Sequence, residues 1–215
     1  MIPLYDNNPT RRFPIVTVLL IAANVAVFFH MAFSAAPFRE YIVHYGAVPA
    51  SILGSGVPAH GPLPPAMTVF TAMFVHAGFF HLAGNMLFLW IFGNNVEDIQ
   101  GRGAFVPFYL LCGLAAAAAH IYSDPFSRMP MVGASGAVSG VLAAYLLAFP
   151  RARVYTLFWF IIFVRVIPVP AVFFIGFWFL MQLLSLGSGG PVAWGAHIGG
   201  FVAGLLLAPI FRRRY

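Results

Sequence analysis

The chain has almost no charge. Only 7% of its 215 residues are Asp, Glu, Lys or Arg, against about 25% in a soluble domain. No lysine occurs, and Asp and Glu together number 5. So few charges cannot cover a water-facing surface, which excludes an ordinary soluble domain. A single cysteine, Cys112, lies in an apolar run and excludes a disulfide framework. The basic residues are all arginine and form no stripe with interleaved aromatics, so nucleic acid is not an expected partner. Residues 1–13 are too short and too polar for a signal or transit peptide.

What the sequence does have is apolar length. Hydrophobic residues make up 61% of it, and the mean hydropathy is +0.91. The lipid bilayer is therefore the expected surrounding, and the expected fold class is all-α, a polytopic membrane protein of one compact bundle. A helix crosses about 30 Å of hydrocarbon in roughly 20 residues. Spans read at 14–34, 78–96, 104–122, 135–149, 169–186 and 193–211. Residues 35–77 form a long loop broken by prolines and glycines. Residues 154–168, ended by Pro168 and Pro170, read as a buried or interfacial segment. The expectation is six transmembrane helices within 14–211, between a short cytoplasmic N-terminus (1–13) and a basic cytoplasmic C-terminus (212–215).

Charge sets the orientation. With the N-terminus inside, only Arg39 and Arg128 fall outside, while Arg11, Arg12, Arg102, Arg151, Arg153, Arg165 and the cluster Arg212–Arg214 fall inside. This agrees with the positive-inside rule. The loops 35–77, 123–134 and 187–192 then face outward.

A few polar residues sit at membrane depth, where they are costly and mark candidate function. His76, His81 and Asn85 lie around the start of the second span, Ser135 begins the fourth, and His197 begins the sixth. Ser135 and His81 each lie 16 residues from an inner-face marker, Arg151 and Glu97 respectively, and His197 lies 15 from Arg212. At 1.5 Å per residue all three sit roughly 22–24 Å above the inner face, at one level. Asn85 follows His81 by one helical turn on the same face. Small-residue steps, Gly136/Gly140 on the fourth helix and Gly195/Gly199 and Gly200/Gly204 on the sixth, allow the close approach a Ser–His hydrogen bond needs.

The chemistry these residues suggest is acyl transfer. Ser135 is the candidate nucleophile and His197 the candidate base. Unpaired N–H groups at the helix start, Gly136 among them, could join Asn85 and His81 as an oxyanion hole. The plain alternatives are that Ser135 caps its helix or lets helices pack. No acidic third member is evident, so a dyad is expected.

These motifs together resemble the rhomboid intramembrane serine proteases in their basic six-helix form. The matching residues are His81 and Asn85 (HxxxN), Gly133, Ser135 and Gly136 (GxSG), and Ala196, His197 and Gly200. His76 and the Gly93–Glu97 step also match. The resemblance implies that Ser135 is the nucleophile, His197 the base, and His81 and Asn85 oxyanion ligands. It implies substrates that are single-pass membrane proteins, cut in or near their transmembrane segments, with no cofactor and no metal. Some members carry a tyrosine four residues after the serine, stacked on the histidine; here that position is Ser139. The other readings are a non-catalytic rhomboid-like binding or quality-control protein, and a transporter or metal-binding membrane protein. The expected location is a prokaryotic cytoplasmic membrane.

Overall fold

The computed structural model describes residues 2–58, 61–160, 163–188, 190 and 192–211. The arginine cluster at 212–214 lies outside the described residues, as do two positions of the 187–192 loop. Helix α1 (Ile15–Phe33) leads to three short helices in the long loop, α2 (Phe38–Tyr45), α3 (Pro49–Ile52) and α4 (Thr68–Thr71). Helix α5 (Phe79–Phe88) continues through a π turn (Leu89–Gly93) into α6 (Asn94–Gln100). Then come α7 (Arg102–Ser123), α8 (Ser135–Ala148), α9 (Ala171–Ser185) and α10 (Trp194–Phe211). By length and composition α1, α7 and α10 are able to cross a membrane, while α8 and α9 are apolar but shorter.

The bundle is organised on α7, α8 and α10, which pack against one another. Glycine makes this possible. A Cβ on Gly200 would run into the Gly136 carbonyl, and one on Gly204 into the Gly140 carbonyl. Helices α8 and α10 therefore touch backbone to backbone, as the small-residue steps require. Tyr109, Cys112, Val141 and Leu142 fill the space behind them without exposure.

The expected all-α class needs a correction. Strand β1 (Ile2–Asp6), β2 (Arg153–Phe160) and β3 (Phe163–Pro170) form a three-stranded antiparallel sheet in that order. The segment 154–168, expected as a buried or interfacial stretch, makes up most of the paired strands β2 and β3. Its β-branched and aromatic residues favour extended backbone. Pro168 and Pro170 fit because β3 is an edge strand, where a missing N–H breaks no ladder bond. The first residues are not a free tail either. Ile2 pairs with Leu157 and Asp6 with Val154, Tyr5 stacks on Tyr155 at 4.5 Å, and the Tyr145 hydroxyl of α8 donates to the Asp6 carboxylate.

Near Glu97 the N-terminal end of α1 is fastened to α6. The Glu97 carboxylate accepts from the Val16 N–H at 3.1 Å, the Thr17 N–H at 2.8 Å and the Thr17 hydroxyl at 2.8 Å. A carboxylate here satisfies helix-start N–H groups that have no partner within α1. Gly93 lies opposite, and a Cβ there would come within 3.3 Å of Thr17 Cγ2.

Candidate active site

Ser135 is the first residue of α8, and its backbone environment is set by the loop before it. The Gly133 N–H donates to the Ala72 carbonyl at 2.8 Å, and Ala47 and Met131 exchange a pair of backbone hydrogen bonds at 2.9 and 2.8 Å. The 123–134 loop is thereby tied to the 35–77 loop, so its irregular backbone is paired with protein. His76 adds to this. It is fully buried, precedes α5, and its Nε2 accepts from the Ala134 N–H at 3.5 Å. Gly133 has φ +118°, and a Cβ there would lie 2.7 Å from the His81 ring. Only glycine permits both that backbone and that approach.

The Ser135 Oγ lies 2.8 Å from Nε2 of His197. The N-cap position of α8 is Ala134 and not Ser135, and the Ser135 hydroxyl is engaged across the bundle. The first intrahelical bond of α8 runs from the Val138 N–H to the Ala134 carbonyl. The N–H groups of Ser135, Gly136 and Ala137 therefore precede the helix ladder.

His81 and Asn85, on α5, line the same cavity as Ser135 and His197. Nδ1 of His81 accepts from the Ala77 N–H at 3.4 Å. In the neutral ring the proton then sits on Nε2, the atom turned toward Gly133. Asn85 is 8% exposed, and its Nδ2 has no hydrogen-bond partner among the described residues. A buried donor left unpaired is rare. The cavity holds about 770 Å³ and is also bordered by Met129, Trp178 and Val192.

Ser139 does not reach His197. Its hydroxyl donates to the Ser135 carbonyl at 2.6 Å. The rings beside His197 come from elsewhere: Trp178 of α9 at 5.9 Å and Trp194 at 6.0 Å. The sequence also gave no sign of Gln182. Its Oε1 lies 2.8 Å from Nδ1 of His197. A glutamine in the last turn of an apolar helix belongs to none of the motifs, and only its polarity at membrane depth could have singled it out.

The family model for the rhomboid domain matches residues 65–214. The chain belongs to the rhomboid family. This rhomboid chain is 31% identical over 199 residues to the rhomboid protease GluP of Bacillus subtilis, covering 91% of the chain and 34% of that protein. It is 31% identical over 151 residues to the mitochondrial rhomboid protein 1 of Saccharomyces cerevisiae, covering 65% of the chain and 40% of that protein. It is 29% identical over 140 residues to the mouse mitochondrial presenilin-associated rhomboid-like protein, covering 61% and 34%. The chain thus spans roughly a third to two fifths of the length of these relatives.

Proposed function

We propose that this rhomboid chain is a serine endopeptidase that cuts membrane-anchored proteins in or near their transmembrane segments. The observation that carries the reading is the 2.8 Å contact between Ser135 Oγ and His197 Nε2 at a cavity that Asn85, its buried Nδ2 unpaired among the described residues, also lines. A serine hydroxyl is a weak nucleophile until a base takes its proton. His197 Nε2 accepts that proton as Oγ bonds to the scissile carbonyl carbon. The carbonyl π electrons move to oxygen, and the oxyanion lies against Asn85 Nδ2, His81 Nε2–H and the free N–H groups at the start of α8, including that of Gly136. As the tetrahedral intermediate collapses, His197 returns the proton to the leaving amine and the acyl group stays on Ser135. Water then repeats the sequence and frees the acid.

The topology that serves this chemistry has six spans, α5 to α6 counting as one, with both termini cytoplasmic in the cell inner membrane. The shorter α8 suits it, because a helix that begins below the outer surface leaves room above Ser135 for water. Substrate reaches the cavity sideways between α5 and α9. Phe88 and Phe174 meet there at 6.2 Å, while Phe173 and Phe177 point outward. A crosslink joining α5 to α9 blocks cleavage of a membrane substrate on this reading; full cleavage with a complete crosslink points to another route.

The deciding experiment uses the purified chain in lipid. A serine-directed fluorophosphonate labels Ser135 in the wild type, fails equally with Ser135→Ala and His197→Ala, and is indifferent to chelators. If folded wild-type protein resists the probe and does not cut a transmembrane substrate, the non-catalytic reading takes its place.

A further inference from the structure

The base of a Ser–His pair works in one tautomer only. Nε2 must carry a lone pair toward Ser135, so the ring proton must sit on Nδ1. Something must hold it there, and no carboxylate is hydrogen-bonded to His197 among the described residues.

Gln182 meets the requirement in its own geometry. It is 5% exposed on α9. Its amide has two possible orientations, and a second hydrogen bond selects between them. Nε2 donates to the Trp178 carbonyl one turn back at 2.7 Å. Reversing the amide would set Oε1 against that carbonyl, acceptor against acceptor. Oε1 is therefore the atom 2.8 Å from His197 Nδ1. A carbonyl oxygen only accepts, so Nδ1 must donate, and Nε2 is left to accept from Ser135 Oγ at 2.8 Å. The chain Trp178 carbonyl, Gln182, His197, Ser135 has one consistent direction for every proton.

We propose that Gln182 is the positioning residue of His197, holding the ring in the tautomer that can take the serine proton. Trp178, on the same face of α9, lies beside the ring at 5.9 Å and limits its tilt. In this chain α9 thus supplies both orientation and ring packing, while Ser139 on α8 turns back to its own helix. Because Gln182 is neutral, it fixes the proton without adding a charge beside a buried ring. The inference rests on the Ser135–His197 reading of the site.

The test compares Gln182→Met, which keeps length and volume but loses the acceptor, with Gln182→Glu, which keeps an acceptor. Gln182→Met lowers kcat by roughly 10- to 100-fold, by analogy with the loss of a neutral or charged partner that orients a metal-bound histidine, with KM for a transmembrane substrate unchanged. Gln182→Glu keeps more of the rate than Gln182→Met but falls short of wild type, since its second oxygen meets the Trp178 carbonyl to which Nε2 donated. It also moves the acid limb of the pH–rate profile to higher pH, since a carboxylate facing Nδ1 favours the charged ring. The nearby titratable groups His81 and His120 are the same in both variants. Independently of any activity, 15N shifts of the His197 ring report Nδ1–H in the wild type and a mixture of tautomers in Gln182→Met. A wild-type kcat and unchanged ring shifts in folded Gln182→Met overturn the proposal. So does equal impairment of both variants with an unmoved pH profile, which is the mark of packing alone. Should Gln182→Met not fold, the Gln182→Glu profile decides. Ser135→Ala and His197→Ala separate this outcome from failure of the catalytic reading: if they lose activity while Gln182→Met does not, only the role of Gln182 falls.

Discussion

Two buried polar clusters lie toward opposite ends of the helix that runs from α5 to α6. At one end the Glu97 carboxylate has three donors on its two oxygens, all from Val16 and Thr17. At the other, Asn85 lines a cavity with His81, Ser135 and His197, and its buried Nδ2 has no partner among the described residues. The first cluster is closed: its N–H and hydroxyl donors end on the carboxylate, Arg102 Nε lies 3.9 Å from Glu97 Oε1, and it holds α1 in place. The second holds a donor in reserve. Lack of a partner is not by itself the difference, since the Tyr109 hydroxyl also has none among the described residues but is fully enclosed by packing. What sets Asn85 apart is its place in the wall of the cavity that Ser135 and His197 also line. A closed cluster returns its hydrogen bonds as stability, and an open one keeps them for a charge that develops during reaction.

Substitutions test this contrast. The largest effect is expected at the dyad. Ser135→Ala or His197→Ala lowers kcat by about 10⁶, the two together by no more than either alone, and thermal unfolding of the purified protein stays where it was. Next is Asn85→Ala, with a loss of roughly 10²–10³ in kcat, or about 2.7–4 kcal/mol. Its melting temperature holds or rises, because a buried unpaired donor has been removed; a lower melting temperature with full activity would erase the contrast. Glu97→Ala reverses the pattern. It costs roughly 3 kcal/mol of stability by stranding the N–H groups of α1, read by denaturant unfolding in micelles. The fraction that remains folded, counted by active-site titration, turns over at the wild-type rate.

The smallest effect concerns Asp6. Burial raises its carboxyl above the ordinary value of 3.8, and the hydrogen bond from Tyr145 only partly opposes this. The fold therefore favours the protonated form. That contribution is complete below the ordinary value and is lost as pH rises through the raised one. Wild-type stability should fall slightly across this interval, while Asp6→Asn, uncharged throughout, gives a flatter profile. Equal slopes would mean that the strand β1 is insensitive to its own charge.

Spacing made much of this molecule legible. The expected spans at 104–122, 135–149 and 193–211 fall within two residues of α7, α8 and α10, because long apolar runs bounded by glycine and charge have one main solution in lipid. Counting residues from charged markers put Ser135 and His197 at one level, and they lie in contact. Two things were hidden. The hairpin partner of β1 is some 150 residues away in sequence, and no local pattern reveals such a pairing; read alone, 154–168 has only its β-branched and aromatic content to distinguish it from any apolar stretch. Gln182 was hidden because its meaning depends on which face of α9 turns toward His197, a matter of packing. His76 was visible as a polar residue, but its role as acceptor for the Ala134 N–H follows only from the fold of the loop before α8.

The sheet has a consequence for how the chain is made. Ile2 pairs with Leu157, so β1 is synthesised long before its partner exists. At about 5–20 residues per second, it waits roughly eight to thirty seconds while helices α1 to α8 are made. The β2–β3 hairpin is local and needs no such delay. Closing the sheet is therefore a late event of biogenesis, and the apolar side chains of Ile2, Leu4 and Tyr5 must stay out of trouble in the interval.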